Sequence, residues 1–232
     1  MKGKLGSLFQ NRRQRPSPDA DLALLDPWAV RTHSIKQAEK LGYPTNPTLP
    51  LLDKPAHSRP EDEVFARMMC VFITSACAYG VDKTDGLGWL GREGFAPALT
   101  PQELEFLEAE EADGTLFQNR VEALYVLTWS LGYVRRLNYS EKSDDDFVHL
   151  FPNVKTGQTA TLMRAKAKPR AVGQLFANLD LVYCLHWAIV DATVTKRRMP
   201  GDVHPEVVTQ RRWALEWLLG DGDWDGSGEQ LG

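Results

Sequence analysis

The sequence predicts a mainly α fold: a single helical domain with two buried central helices and one short β element. Three observations carry this. Helix starts are marked by capping residues followed by proline, two blocks are apolar on every face, and the composition suits one sizeable core. Of the 232 residues, 43% are hydrophobic and 25% charged, ordinary globular usage that excludes a wholly disordered, collagen-like or disulfide-scaffold chain.

Residues 1–30 read as a basic arm with a short amphipathic lead-in. Lys2, Lys4, Arg12, Arg13 and Arg15 precede any acidic residue, then Pro16 and Pro18, then Leu22, Leu24, Leu25 and Trp28. The arm is expected to be a frayed terminus. An alternative is contact with an anionic surface or nucleic acid, and the arm is the one region offering nucleic acid anything. Leu5, Leu8 and Phe9 lead into no apolar run, so no signal peptide is expected. A helical domain is assigned to 31–225 and a flexible tail to 226–232.

A first helix is expected from Ser34 to Leu41, stopped by Gly42. Ser58-Arg59-Pro60-Glu61 offers an N-cap hydroxyl, a proline in the first turn and a glutamate three residues on, opening a helix to about Tyr79. Thr100-Pro101-Gln102-Glu103 repeats the pattern and opens a helix to about Ala112. Asn119-Arg120-Val121-Glu122 is a weaker version opening 120–137. That helix is apolar at 10 of the 14 positions from Val121 to Val134, and Leu175–Val190 at 13 of 16. A helix apolar all round lies in a large core or in lipid. The second block is shorter than about 20 apolar residues and carries Asp180, which favours the core. Thr159–Met163 supplies the short strand, and a last helix runs from Pro205 to Leu219, ending at Gly220.

Cys70, Cys77 and Cys184 read as small core residues in a reducing compartment. Cys70 and Cys77 stand seven residues apart on one helix, about 10 Å and beyond disulfide reach. The protein is expected to be cytoplasmic, with no cofactor, no metal and no membrane partner.

Two motifs are weighed and set aside. Asp221-Gly222-Asp223-Trp224-Asp225-Gly226 matches the first six positions of a calcium loop, but Gly232 stands where the bidentate glutamate belongs. Gly86-Leu87-Gly88-Trp89-Leu90-Gly91 spells a dinucleotide fingerprint without the strand that must precede it. Trp89-Leu90 is read instead as a loop plug into the core.

The polar residues stranded in apolar helices are more informative. Asp180, Tyr183, Cys184 and Trp187 share a face, while His186 points off it. Arg211 lies within the apolar stripe of Val207, Val208, Ala214, Leu215 and Leu218. A buried guanidinium needs a carboxylate or several carbonyls. Asp180 is the first choice of partner and Glu122 the second, although Glu122 also reads as the capping glutamate of Asn119. As an enzyme, the chain would use Glu122 or Asp180 as general base, His186 as proton carrier, and Arg120 or Arg211 to hold an anion. The bland reading is that these groups satisfy one another, and it is preferred.

Arg31-Thr32-His33-Ser34-Ile35, Trp89-Leu90, Arg120-Val121-Glu122-Ala123-Leu124 and Trp129-Ser130-Leu131-Gly132 resemble the bacterial family known as domain of unknown function 4272. So do Leu179-Asp180-Leu181-Val182-Tyr183, His186-Trp187-Ala188, Val207-Val208, Arg211-Arg212 through Trp217-Leu218, and Trp224-Asp225. The resemblance spans about 31–225 in the family's order. It departs at Cys184, where an arginine is expected, and in lacking a longer acidic ending. It implies one mainly helical domain without an established activity. It also implies a polar core that includes Arg31, Ser34 and Arg212, and a docked Trp224-Asp225.

Beyond residue 18 the chain carries a net charge of −9, from −4 overall and +5 in the arm. An acidic body suits a basic protein partner. The leading expectation is a non-catalytic protein-binding module, in its most specific form one that neutralises a toxin or effector as an immunity protein does. The alternative is an enzyme or small-ligand binder with a polar site in the helical core.

Overall fold

Proline and capping groups set the helix starts. The computed structural model describes residues 22–226; the basic stretch 1–18 and the end of the tail, 227–232, lie outside the described residues. Helix α1 spans Pro27–Lys40, with Asp26 as N-cap accepting from the Trp28 amide at 3.0 Å and proline in the first turn. It therefore begins seven residues before the expected Ser34, because Asp26-Pro27 is the stronger start. Leu22 of the lead-in is buried, whereas Leu24 and Trp28 are exposed.

Helix α2 (Glu61–Ala78) starts where the sequence suggests but is capped differently: its N-cap is Pro60 and no side chain caps it. Ser58 does not close the box, and the residue after it is tied elsewhere. The Arg59 amide donates to the Leu218 carbonyl at 3.1 Å and its guanidinium to the Trp217 carbonyl at 2.7 Å. Glu61, Asp62 and Glu63 in the first turn complement the helix dipole instead.

Helix α3 (Lys83–Glu93) occupies the glycine-rich stretch expected to be a loop; Asp82 caps it and Gly94 ends it with φ +79°. Trp89 and Leu90 are buried as expected, from a helix. In α4 (Pro101–Glu108) the Thr100 capping box is complete, with Thr100 and Glu103 each accepting from the other's amide. Thr100→Ala is expected to cost about 1 kcal/mol and lower the melting temperature by about 2–4 °C, measured by thermal unfolding.

Helices α5 (Thr115–Asn119) and α6 (Val121–Ser130) break at Arg120, so Asn119 ends one helix rather than capping the next. Thr159–Met163 is a helical turn, α7 (Thr161–Arg164), and no strand occurs among the described residues. Ala160 there is buried, its amide held by Glu93 at 2.9 Å, so the segment pairs with a side chain rather than with another strand. Helices α8 (Val172–Val194) and α9 (Pro205–Leu219) complete the fold.

The helices pack in a serial order: α1 on α8, α8 on α9, α9 on α6, α6 on α2, with α3 and α5 also packed on α2 and α4 against both α2 and α3. Helix α8 is long and apolar enough by length and composition to cross a membrane. Within the structure it is flanked by α1 and α9 and buries Phe176, Val182, Leu185 and Ala188. The two apolar blocks are thus central helices of one core.

The three cysteines are free and buried, and burial pushes the Cys70 thiol up to about 12 and those of Cys77 and Cys184 to about 11. Only the thiolate reacts readily, so a thiol-reactive disulfide reagent is expected to label none in native protein and all three after denaturation. Rapid labelling of the folded chain would contradict this burial.

Candidate functional site

The sequence-selected polar residues fall into three networks, each set between neighbouring helices. The first joins α1 to α8 and α9. Arg31 and Asp180 are both buried, and Arg31 Nη2 lies 2.8 Å from Asp180 Oδ1. The remaining guanidinium donors reach the Leu49 carbonyl at 2.7 Å and the Pro50 carbonyl at 3.0 Å. Burial alone lowers the Arg31 pKa, but the hydrogen bond and charge of Asp180 outweigh it, so the net shift is upward. Ser34 is buried on the same helix as Arg31 and Ala38. The Tyr183 ring lies between two guanidinium groups, Arg31 at 5.5 Å and Arg212 at 5.2 Å from its centroid.

Arg212 then spans Glu216 (2.8 Å) and His186 Nδ1 (2.7 Å). His186 is buried, and burial together with the Arg212 charge lowers its pKa to about 4. The imidazole is therefore neutral at pH 7 and accepts from Arg212. A folded pKa of about 4 against an unfolded value near 6.5 means the unfolded chain binds the extra proton between those limits. Stability from this group is therefore complete above about pH 6.5 and lost as pH falls toward 4, by up to about 3 kcal/mol. Urea unfolding at pH 7 and pH 4.5 is expected to show that loss, and His186→Gln to reduce it. An NMR titration placing the His186 pKa above 6 would contradict it.

The second network joins α6 to α9. Arg211 is fully buried, with Nε and Nη2 2.9 and 2.8 Å from Glu122 Oε2. Glu122 Oε1 accepts from the Ser143 amide at 2.8 Å and hydroxyl at 3.1 Å. The other Arg211 donors reach the Asn138 and Glu141 carbonyls, and the Tyr125 and Tyr139 rings flank the guanidinium. Asp180, the first-choice partner of Arg211, is thus taken by Arg31, and Glu122 holds Arg211. Glu122 does not close a capping box with Asn119, because it points across to α9.

The third network centres on Arg120, buried against the Trp213 ring with its guanidinium 3.4 Å from the ring centroid and donating to Gln210 Oε1 at 3.3 Å. Burial lowers its pKa to about 10, which leaves it charged at neutral pH. Trp224 is buried beside it, 5.3 Å from Trp217 and 6.3 Å from Trp213, with Arg67 and Arg120 over its ring. Arg67 forms a buried ion pair with Glu103. The tail segment Asp221–Gly226 therefore turns inward through Trp224, as the resemblance implies. Sequence reading missed Arg67–Glu103, although Arg67 interrupts an apolar helix just as Arg211 does. It also missed Ser143 and Gln210, which carry no charge to attract notice.

Five clefts of about 310 to 610 Å³ open on the described residues, and none of these five is lined by Glu122, Asp180, His186 or Arg211. A general base needs an accessible lone pair near the proton it takes. Here the carboxylate oxygens of Glu122 and Asp180 accept from buried donors within the fold.

One surface feature is strongly charged. From Glu93 to Asn119 the chain has seven acidic residues and no Lys, Arg or His. Glu105, Glu108, Glu110, Glu111 and Asp113 are exposed. Lys83 Nζ, donating to the Ala109 carbonyl at 3.0 Å, ties this edge to the start of α3, where Asp82 and Asp85 are also exposed.

No curated protein and no solved structure matches the chain. A family model does, across residues 31–227, from the Arg31 that pairs with Asp180 to just past the docked Trp224. The chain belongs to that family, described as a domain of unknown function (DUF4272).

Proposed function

We propose that this domain is a non-catalytic protein-binding module that holds a basic partner on its acidic edge, in the specific form of neutralising a toxin or effector. One observation carries the reading: Arg31–Asp180 and Arg211–Glu122 are sealed, mutually satisfied pairs away from the five clefts. The polar core is thereby assigned to architecture, and recognition falls to the surface. The exposed edge of Asp82, Asp85, Glu105, Glu108, Glu110, Glu111 and Asp113, with Lys83 as its one tethering cation, supplies a predominantly negative field able to steer and hold a cationic surface.

Affinity capture from the native cell, followed by mass spectrometry, tests the proposal. The expected result is a stoichiometric basic protein whose capture weakens with salt and is lost when Glu105, Glu108, Glu110 and Glu111 are changed to lysine. Capture indifferent to that reversal, or recovery of a bound metabolite without a protein, would overturn it.

A further inference from the structure

A cleft of about 600 Å³, not lined by Arg31, Asp180, Glu122 or Arg211, lies between α2, the start of α6 and the loop 142–155. Phe72, Ala76, Val121, Leu124, Phe147 and Val148 line it. Phe72 stacks on Phe151 with ring centroids 4.4 Å apart, and Phe147 meets Phe151 edge-on at 6.1 Å. These contacts fix an aromatic wall before any ligand arrives. Tyr79 and Val148, also on the cleft, are 68% and 42% exposed, so apolar surface here faces water.

The charged groups lining the cleft are Lys142, Lys155 and Asp145, beside the uncharged Ser75, Tyr79 and Asn153. Lys142 and Lys155 both line the cleft and are exposed. Asp145 sits 3.4 Å from Lys142, with both side chains open to solvent. The cleft thus joins an apolar body to a rim with two cations against one carboxylate. Its volume lies within the range of about 300–1,000 Å³ usual for small-molecule pockets.

We infer that this cleft binds a small amphipathic carboxylate, its chain or ring against Phe72, Leu124 and Phe147 and its carboxylate at Lys155 and Lys142. The inference is independent of the acidic edge and of any protein partner. An apolar tail alone would find the same wall, but an anion also gains from the two lysines. Neutral and anionic ligands of equal length therefore separate the two contributions.

Isothermal titration of the full chain with dodecanoate, below its micellar range, is the direct test. Saturable binding at one site per chain is expected. Lys142→Gln/Lys155→Gln should weaken dodecanoate by about five-fold while leaving dodecanol unchanged, the size of a solvent-exposed ionic contribution. Ala76→Phe, which fills the cleft from the half-buried face of α2, should abolish dodecanoate binding while circular dichroism shows the helices intact. Absence of saturable binding, dodecanol binding as tightly as dodecanoate, or a folded Ala76→Phe variant that binds like the parent would overturn the assignment.

Discussion

Glu122→Ala is expected to lower the unfolding free energy by about 3–5 kcal/mol, the loss typical of a buried charge deprived of its counter-ion. Arg211 is fully buried and both of its guanidinium contacts to carboxylate go to Glu122 Oε2. The carbonyls of Asn138 and Glu141 remain, but dipoles alone do not compensate a full charge in a medium of low polarity. The Ser143 amide and hydroxyl would also lose their acceptor. The loop following α6 should therefore loosen first, visible as faster amide exchange at Ser143. Urea unfolding measures the global effect. Removing both charges as Glu122→Leu/Arg211→Met should recover part of the loss, because an apolar pair carries no desolvation penalty. A single-variant loss below about 1 kcal/mol would mean that water reaches Arg211.

The elements legible in the sequence were those with a local cause. Pro205 at the start and Gly220 at the end bound α9 as expected, and the Thr100–Glu103 box forms as written. The buried blocks of α6 and α8 followed from apolar residues on every face. What failed was set by tertiary contacts. Ser58 gives up its cap because Arg59 is bound to the end of α9, more than 150 residues away in sequence. The strand at Thr159–Met163 has no neighbouring strand to complete it. The partner of Arg211 was ambiguous for a similar reason. Periodicity gives the face of each helix but not which helix it meets, and only the order α1–α8–α9–α6 sends Asp180 to Arg31 and Glu122 to Arg211. Arg31 and Arg212 entered through family resemblance, whereas Arg67 was open to the same argument as Arg211.

Asp180→Asn is the second large effect. Arg31 is buried and turns two of its donors toward Asp180, the others toward the carbonyls of Leu49 and Pro50. An asparagine of the same shape keeps one acceptor and places an amide N–H₂ against the guanidinium, so the charge stays buried without its counter-charge. The expected loss is about 3 kcal/mol or more. Because Arg31 sits on α1 and Asp180 on α8, the lost contact is a buried ion pair between the first helix and the core. Arg31→Met/Asp180→Leu should be less damaging than either single change and should retain whatever binding the parent shows.

Equilibrium urea unfolding of Asp180→Asn beside the parent chain at pH 7 decides whether the interior charges act on one another or on an outside molecule. A midpoint shifted to markedly lower urea, with recognition reduced only in proportion to the folded fraction, is the predicted outcome. An unmoved midpoint accompanied by lost recognition or lost turnover would place Asp180 in a working site and contradict the account.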